Sequence, residues 1–167
     1  MNYFTHVDSP IGKLTLSGTE DALTGLWIEG QKYYAYTMPP DAVQKDNLPV
    51  FQETERWLRD YFRKKTPGNF PALRPSGTSF RISVWNELLK IPQGETVTYG
   101  ELAARVSHAI GRPTSARATA GAVAHNPISI LIPCHRVVAA DGMGGYAGGI
   151  ERKMFLLGLE KKRELIK

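Results

Sequence analysis

In the first third of the chain apolar residues sit in short runs with strand-like alternation. Beyond it they recur at helical spacing, and this change of period limits the possible folds more than any other feature. Asn2–Val7 and Lys13–Ser17 flank Ser9-Pro10-Ile11-Gly12, a turn by composition, so the pair reads as a β-hairpin. Ala22–Glu29 adds a third strand, with Leu26 and Ile28 alternating against Gly25 and Trp27. Residues 30–49 read as irregular, broken by Pro39-Pro40 and Pro49. From Val50 to Lys64 the period lengthens, and Phe51, Thr54, Leu58, Tyr61 and Phe62 fall on one helical face. The stretch TPGNFPALRPSGT follows, and a domain boundary is expected near Pro75–Gly77, dividing the chain into 1–76 and 77–167.

The second part reads as helices. Phe80, Val84, Leu88 and Ile91 keep helical spacing until Pro92 and Gly94 end the element. Thr98-Tyr99-Gly100-Glu101 fits a capping box that opens a helix through about Val106. After Gly111-Arg112-Pro113, either Thr114 or Ser115 can cap a short helix that stops before Asn126-Pro127. Ile128–Ile132 is apolar but too short for a stable helix, and Gly142–Gly149 is a glycine-rich loop. The last helix, Ile150–Leu165, carries Glu151 early and Lys161, Lys162 and Arg163 late, in keeping with its dipole.

Composition narrows the function classes. At 167 residues there is room for one ordinary domain or two small ones, and 42% hydrophobic with 22% charged residues is globular usage. No run approaches the roughly 20 apolar residues of a membrane span, and MNYFTHVDSP lacks the apolar core of a signal peptide. Cys134 is the only cysteine, so no internal disulfide forms, and four scattered histidines do not readily make a structural zinc site with it. A lone thiol suits a reducing cytoplasm. The net charge of +5 permits an anionic partner without requiring one.

Two features bear on chemistry. The two short helices form a helix-turn-helix candidate, and Ser115–Ala124 is nearly all small residues around Arg117. Small side chains let a backbone lie close against a ligand; the plain alternative is a tightly packed helix pair with a solvated Arg. In Pro133-Cys134-His135-Arg136-Val137 a thiol has the neighbours that lower its pKa. Consecutive side chains of an extended segment point apart, so Cys134 and His135 need a turn or a bridging water to communicate. The alternative is a buried, inert Cys. Gly142-Met143-Gly144-Gly145-Tyr146-Ala147 fits the dinucleotide-binding pattern only loosely and leaves no room for a following strand, so it reads as a mobile loop.

Taken in order, Tyr99, Ala116-Arg117-Ala118, Asn126-Pro127, Ile132–Val137, Tyr146-Ala147-Gly148-Gly149 and Leu159-Glu160 resemble the O6-alkylguanine-DNA alkyltransferases. The resemblance covers about Gly77 to Glu160 and is most specific at Pro133–Val137. It implies an α/β (α+β) protein: a small ribonuclease-H-like antiparallel sheet with one helix, then a winged-helix-like domain carrying the helix-turn-helix. It also implies single-turnover repair of O6-methylguanine, with O4-methylthymine as a lesser substrate, on double-stranded DNA and without cofactor or metal. A monomer is expected, with cooperative loading on DNA left open.

Residue by residue, the resemblance makes Cys134 the alkyl acceptor, His135 its water-mediated base and Glu160 the carboxylate orienting that His. Tyr99 matches the phenol at N3 of the flipped base, and Asn126 the residue that ties the turn. Arg117 matches the finger entering the duplex, with Ser115, Ala116, Ala118, Thr119, Gly121 and Arg136 beside it on DNA. Val137, Tyr146, Ala147 and Gly148 match the pocket wall and lid. Thr119-Ala120 stands where Val-Gly is more usual, and VSHAIGRPTS lengthens the segment between Tyr99 and Arg117. Two other readings remain: a lesion-binding protein that does not transfer, and a cysteine hydrolase, for which an adjacent Cys-His is poorly arranged.

Overall fold

The computed structural model describes residues 1–65 and 67–166, with side chains described through Lys161. Strands β1 (Tyr3–Val7), β2 (Leu14–Gly18) and β3 (Leu23–Ile28) form the expected antiparallel meander. A fourth strand, β4 (Val43–Gln44), joins β1 in parallel, giving the order β3-β2-β1-β4. The sheet is therefore mixed rather than purely antiparallel. A two-residue strand is too short to show alternation, and its pairing rests on two backbone bonds, Val43 N to Asn2 O and Lys45 N to Phe4 O, each 3.0 Å.

Helix α1 (Pro49–Phe62) begins with proline at a position where the missing N–H costs nothing. It buries Phe51, Thr54, Leu58 and Tyr61, four of the five residues expected on its inner face. The outer edge of β3 is not left open. Residues 72–74 pair with Leu23 and residues 127–129 pair with Leu26, through bonds of 2.8–2.9 Å. A segment of the proline-rich stretch and one from the second part of the chain thus close one sheet edge, which removes an aggregation-prone surface. One continuous hydrophobic core runs from Leu14 and Phe51 to Val106, Cys134 and Leu159.

Helices α2 (Ser79–Leu88), α3 (Tyr99–Ile110) and α4 (Ala116–Ala124) pack on one another, and Trp85 Nε1 of α2 donates to Ala122 O of α4 at 2.9 Å. The capping box at Thr98 and Glu101 forms as expected, but α3 continues four residues past Val106. Gly111, at φ +72°, ends it in the left-handed conformation glycine favours. Half of the lengthened segment between Tyr99 and Arg117, from Val106 to Ile110, therefore lies in helix. The turn that remains is held by Thr114 N donating to Ser107 Oγ at 3.0 Å, and Ser115 caps α4 by accepting from Ala118 N.

A 3-10 turn (Cys134–Arg136) leads into β6 (Val137–Val138), which pairs in parallel with β5 (Val97–Thr98). Helix α5 (Ile150–Ile166) closes the chain; the side chains of Lys162 and Arg163 lie outside the described residues. Among the described residues no helix is long and apolar enough to cross a membrane.

Candidate active site

Asn126 shapes the segment that carries the cysteine. Its Nδ2 donates to Ile132 O at 2.7 Å while its Oδ1 accepts from Ile128 N at 3.0 Å, closing a loop from both sides. Within that loop Ile130 adopts φ +73°, a costly conformation for a β-branched residue that the surrounding bonds enforce. Cys134 N then donates to Ile132 O at 2.8 Å, and the 3-10 turn begins. Cys134 borders a cavity of about 180 Å³, whereas His135 is wholly buried behind it.

Behind the cavity lies a buried charge cluster. His135 Nε2 lies 2.6 Å from Glu160 Oε2. Arg136 forks onto the same carboxylate, Nε to Oε1 at 2.9 Å and Nη2 to Oε2 at 3.1 Å, and its Nη1 donates to Ile91 O at 2.7 Å. Tyr61 Oη adds a donor to Oε2 at 2.6 Å. Burial alone would raise the Glu160 carboxyl, but the hydrogen bonds of His135 and Arg136 and the Arg136 charge win and hold it far below the usual range. Burial lowers the His135 pKa, so its ring rests neutral. A carboxylate on Nε2 selects the tautomer with the proton there, leaving Nδ1 as a buried acceptor without a protein partner among the described residues.

Burial pushes the Cys134 thiol up to about 11, against the opposing Asn126 hydrogen bond and Lys153 charge, so it rests protonated. Lys153 was not anticipated from sequence. Fully buried on α5, it donates to Val137 O at 2.6 Å and Gly145 O at 2.9 Å, tying β6 to the glycine-rich loop. Desolvation pulls its ammonium down to about 8. Tyr99, at the start of α3, faces the cavity with its hydroxyl 3.5 Å from Gly145 O; its pKa is raised by burial and by the nearby Cys134.

Residues 79–162 match the family model described as the DNA binding domain of 6-O-methylguanine DNA methyltransferase, and residues 2–72 match its ribonuclease-like domain. The chain belongs to this family. It is 40% identical over 162 residues to a methylated-DNA–protein-cysteine methyltransferase of Haemophilus influenzae, covering 95% of this chain and 86% of that one. Against the Methanosarcina barkeri protein of the same name it is 42% identical over 161 residues, covering 95% and 97%. Its fold superposes on the crystal structure of Mycobacterium tuberculosis OGT in complex with DNA with a TM-score of 0.84. The two are 40% identical, with 96% and 94% of the chains covered.

Within this methyltransferase fold the expected site residues divide. Cys134, Tyr99, Tyr146 and Ala147 border one cavity, with His135, Asn126 and Glu160 behind it as described. Ser115, Ala116, Arg117, Ala118 and Gly121 are exposed on α4. Thr119 is not: it is fully buried and its hydroxyl donates to Ser115 O at 2.8 Å, so it packs inward instead of meeting a groove. Arg136 also departs from its expected DNA contact, because the turn aims it at Glu160. Val137 lies in the core, and Gly148 acts at one remove: a Cβ there would sit 2.7 Å from the Tyr146 ring.

No sequence signal points to Lys32 and Tyr33, which complete the cavity wall from the long β3–β4 connection. Lys32 N donates to Ala147 O at 3.0 Å, and Tyr33 stacks on His125 with 3.9 Å between ring centroids. Among the described residues no three His, Cys, Asp or Glu side chains gather as a metal site would require.

The inward Arg136 is testable. Arg136→Ala should cost about 3–5 kcal/mol of stability in urea unfolding, because Glu160 loses its buried partner. The salt dependence of DNA binding should be unchanged, whereas loss of a phosphate contact would reduce the slope by about one.

Proposed function

We propose that this chain reverses O6-alkylguanine lesions in double-stranded DNA by taking the alkyl group onto Cys134. The observation that carries this reading is a thiol at the edge of a base-sized cavity, backed by a buried His135–Glu160 pair whose free nitrogen can accept a proton. A cavity this small cannot admit a duplex, so the damaged nucleotide must leave the stack, and a poorly paired base costs least to extrude. Arg117, exposed on α4, fills the gap from the minor groove, while Ala116, Ala118 and Gly121 let the helix backbone lie close.

The chemistry follows from the protonation states. The Cys134 proton passes through a water to His135 Nδ1, and Glu160 stabilises the resulting imidazolium. The thiolate attacks the alkyl carbon in line, forming an S–C bond as the C–O6 bond breaks. Tyr99 donates its phenolic proton at N3 as guanine leaves. A thioether has no route back to thiol, so each molecule reacts once, and the step draws on no cofactor. The reduced thiol that is consumed fits a reducing cytoplasm. Residues 1–76 act as the support against which 77–167 holds its charge cluster, and the chain works as a monomer. Cooperative loading would appear as binding curves steeper than hyperbolic.

Mixing protein with excess duplex bearing O6-methylguanine tests this reading. Repaired lesion should plateau at one per protein, whereas continued turnover would contradict an acceptor role. Arg117→Ala should weaken lesion-duplex binding by about 10- to 100-fold and slow transfer, with the isolated modified base reacting as in wild type. Equal losses on duplex and free base would remove Arg117 from base extrusion.

A further inference from the structure

The carboxylate that orients His135 is also held from the other end of the chain. Tyr61, on α1 and fully buried, donates to Glu160 Oε2 at 2.6 Å across 99 positions of sequence. That oxygen already faces His135 Nε2 and Arg136 Nη2, so among the described residues three donors share it while Oε1 takes only Arg136 Nε. Trp57 stacks on the Tyr61 ring at 5.2 Å and 11° between planes, fixing the direction of the hydroxyl.

We propose that Tyr61 is a positioning residue of the alkyl-transfer site, which tempers the charge Glu160 presents to His135 and so keeps that ring available as a neutral base. The inference rests on the relay from Cys134 to His135 set out above. A carboxylate beside an imidazole favours its protonated form, and each further donor on the carboxylate oxygen weakens that pull. Among the described residues the groups facing the pair are Tyr61 on α1, Arg136 in the 3-10 turn, Tyr146 in the loop and Lys153 on α5. Among the described residues, only Tyr61 and Arg136 reach Glu160 as donors beside His135. Burial, then the Glu160 charge, drives the Tyr61 phenol well above its usual pKa, so it stays a donor. Through this bond the amino-terminal helix becomes a working part of the reacting centre.

Tyr61→Phe removes the donor and keeps the ring. Single-turnover methyl transfer by the full chain, followed against pH, is compared with wild type and with Leu58→Ala, a packing loss on the same helix. In Tyr61→Phe the acidic limb should move up by about half to one pH unit, lowering the rate about three- to tenfold below the limb and leaving it unchanged above. Leu58→Ala should lower the melting temperature with the limb in place. Independently of transfer, the His135 Nε2–H proton resonance of the DNA-free protein should move downfield in Tyr61→Phe alone. An unmoved resonance overturns the proposal, as does a limb that superimposes on wild type. If wild type transfers nothing, the relay reading fails and the resonance alone decides the role of Tyr61.

Discussion

Cys134→Ser should abolish methyl transfer, by roughly a millionfold as for removal of a committed nucleophile, while lesion-duplex binding should stay close to wild type. The serine hydroxyl is nearly isosteric with the thiol, and Cys134 is 5% exposed, so the substitution adds no volume and opens no large void. What changes is acidity. His135 Nδ1 must draw a proton from a thiol raised to about 11; a hydroxyl lies several units further out of its reach. The groove contacts proposed for α4 involve Arg117 and its exposed neighbours, which do not line the Cys134 cavity, and should be left intact. Gel-shift titration beside a transfer assay checks both halves. A variant that still clears the lesion would remove Cys134 from its role, and one that loses binding with activity would show the thiol to be structural.

Glu160→Ala is the second large effect. It strands Arg136 in the core without its counter-charge and leaves the His135 Nε2–H without its acceptor, and such a loss costs about 3–5 kcal/mol. For a chain of this length that is about 6–20 °C in melting temperature. Transfer should fall with it, since neither the tautomer of His135 nor its protonated form is then supported. Acid titration separates the electrostatic part. The Glu160 pKa is depressed in the folded state, so its contribution is whole above the ordinary carboxylate pKa of about 4.3 and is lost as pH falls below that towards its folded value. His135 adds in the same direction: held neutral by burial, it costs stability as pH drops below about 6.5. Urea unfolding between pH 7 and pH 3 should fall more steeply in wild type than in Glu160→Gln. Parallel curves would deny Glu160 its depressed pKa.

Local chemistry was legible in the sequence and long-range pairing was not. Ser115, Thr98 and Glu101 cap their helices as read, because capping depends on residues three apart. Pro133–Val137 identified the reacting centre because its residue types are so specific. Arg136 was misplaced for a physical reason. In extended chain it would share a side with Cys134, but the 3-10 turn sends it into the core, where Glu160 from α5 waits. Thr119 looked like a groove residue by its place near Arg117, yet two positions along a helix turn a side chain to nearly the opposite face, and it is fully buried with its hydroxyl on Ser115 O. Tyr61 carried the right period for a core residue and nothing to say that its hydroxyl met Glu160. Lys153 lay within a helix read for its dipole, where a buried ammonium bonding two carbonyls leaves no trace in spacing.

The most direct measurement of the account is intact-protein mass spectrometry after incubation with duplex DNA bearing one O6-methylguanine, followed by peptide mapping. A single methyl group should be gained, confined to the Cys134 peptide and saturating at one per molecule. Unchanged protein mass with the duplex nevertheless bound would contradict it, and would leave a protein that recognises the lesion without reversing it.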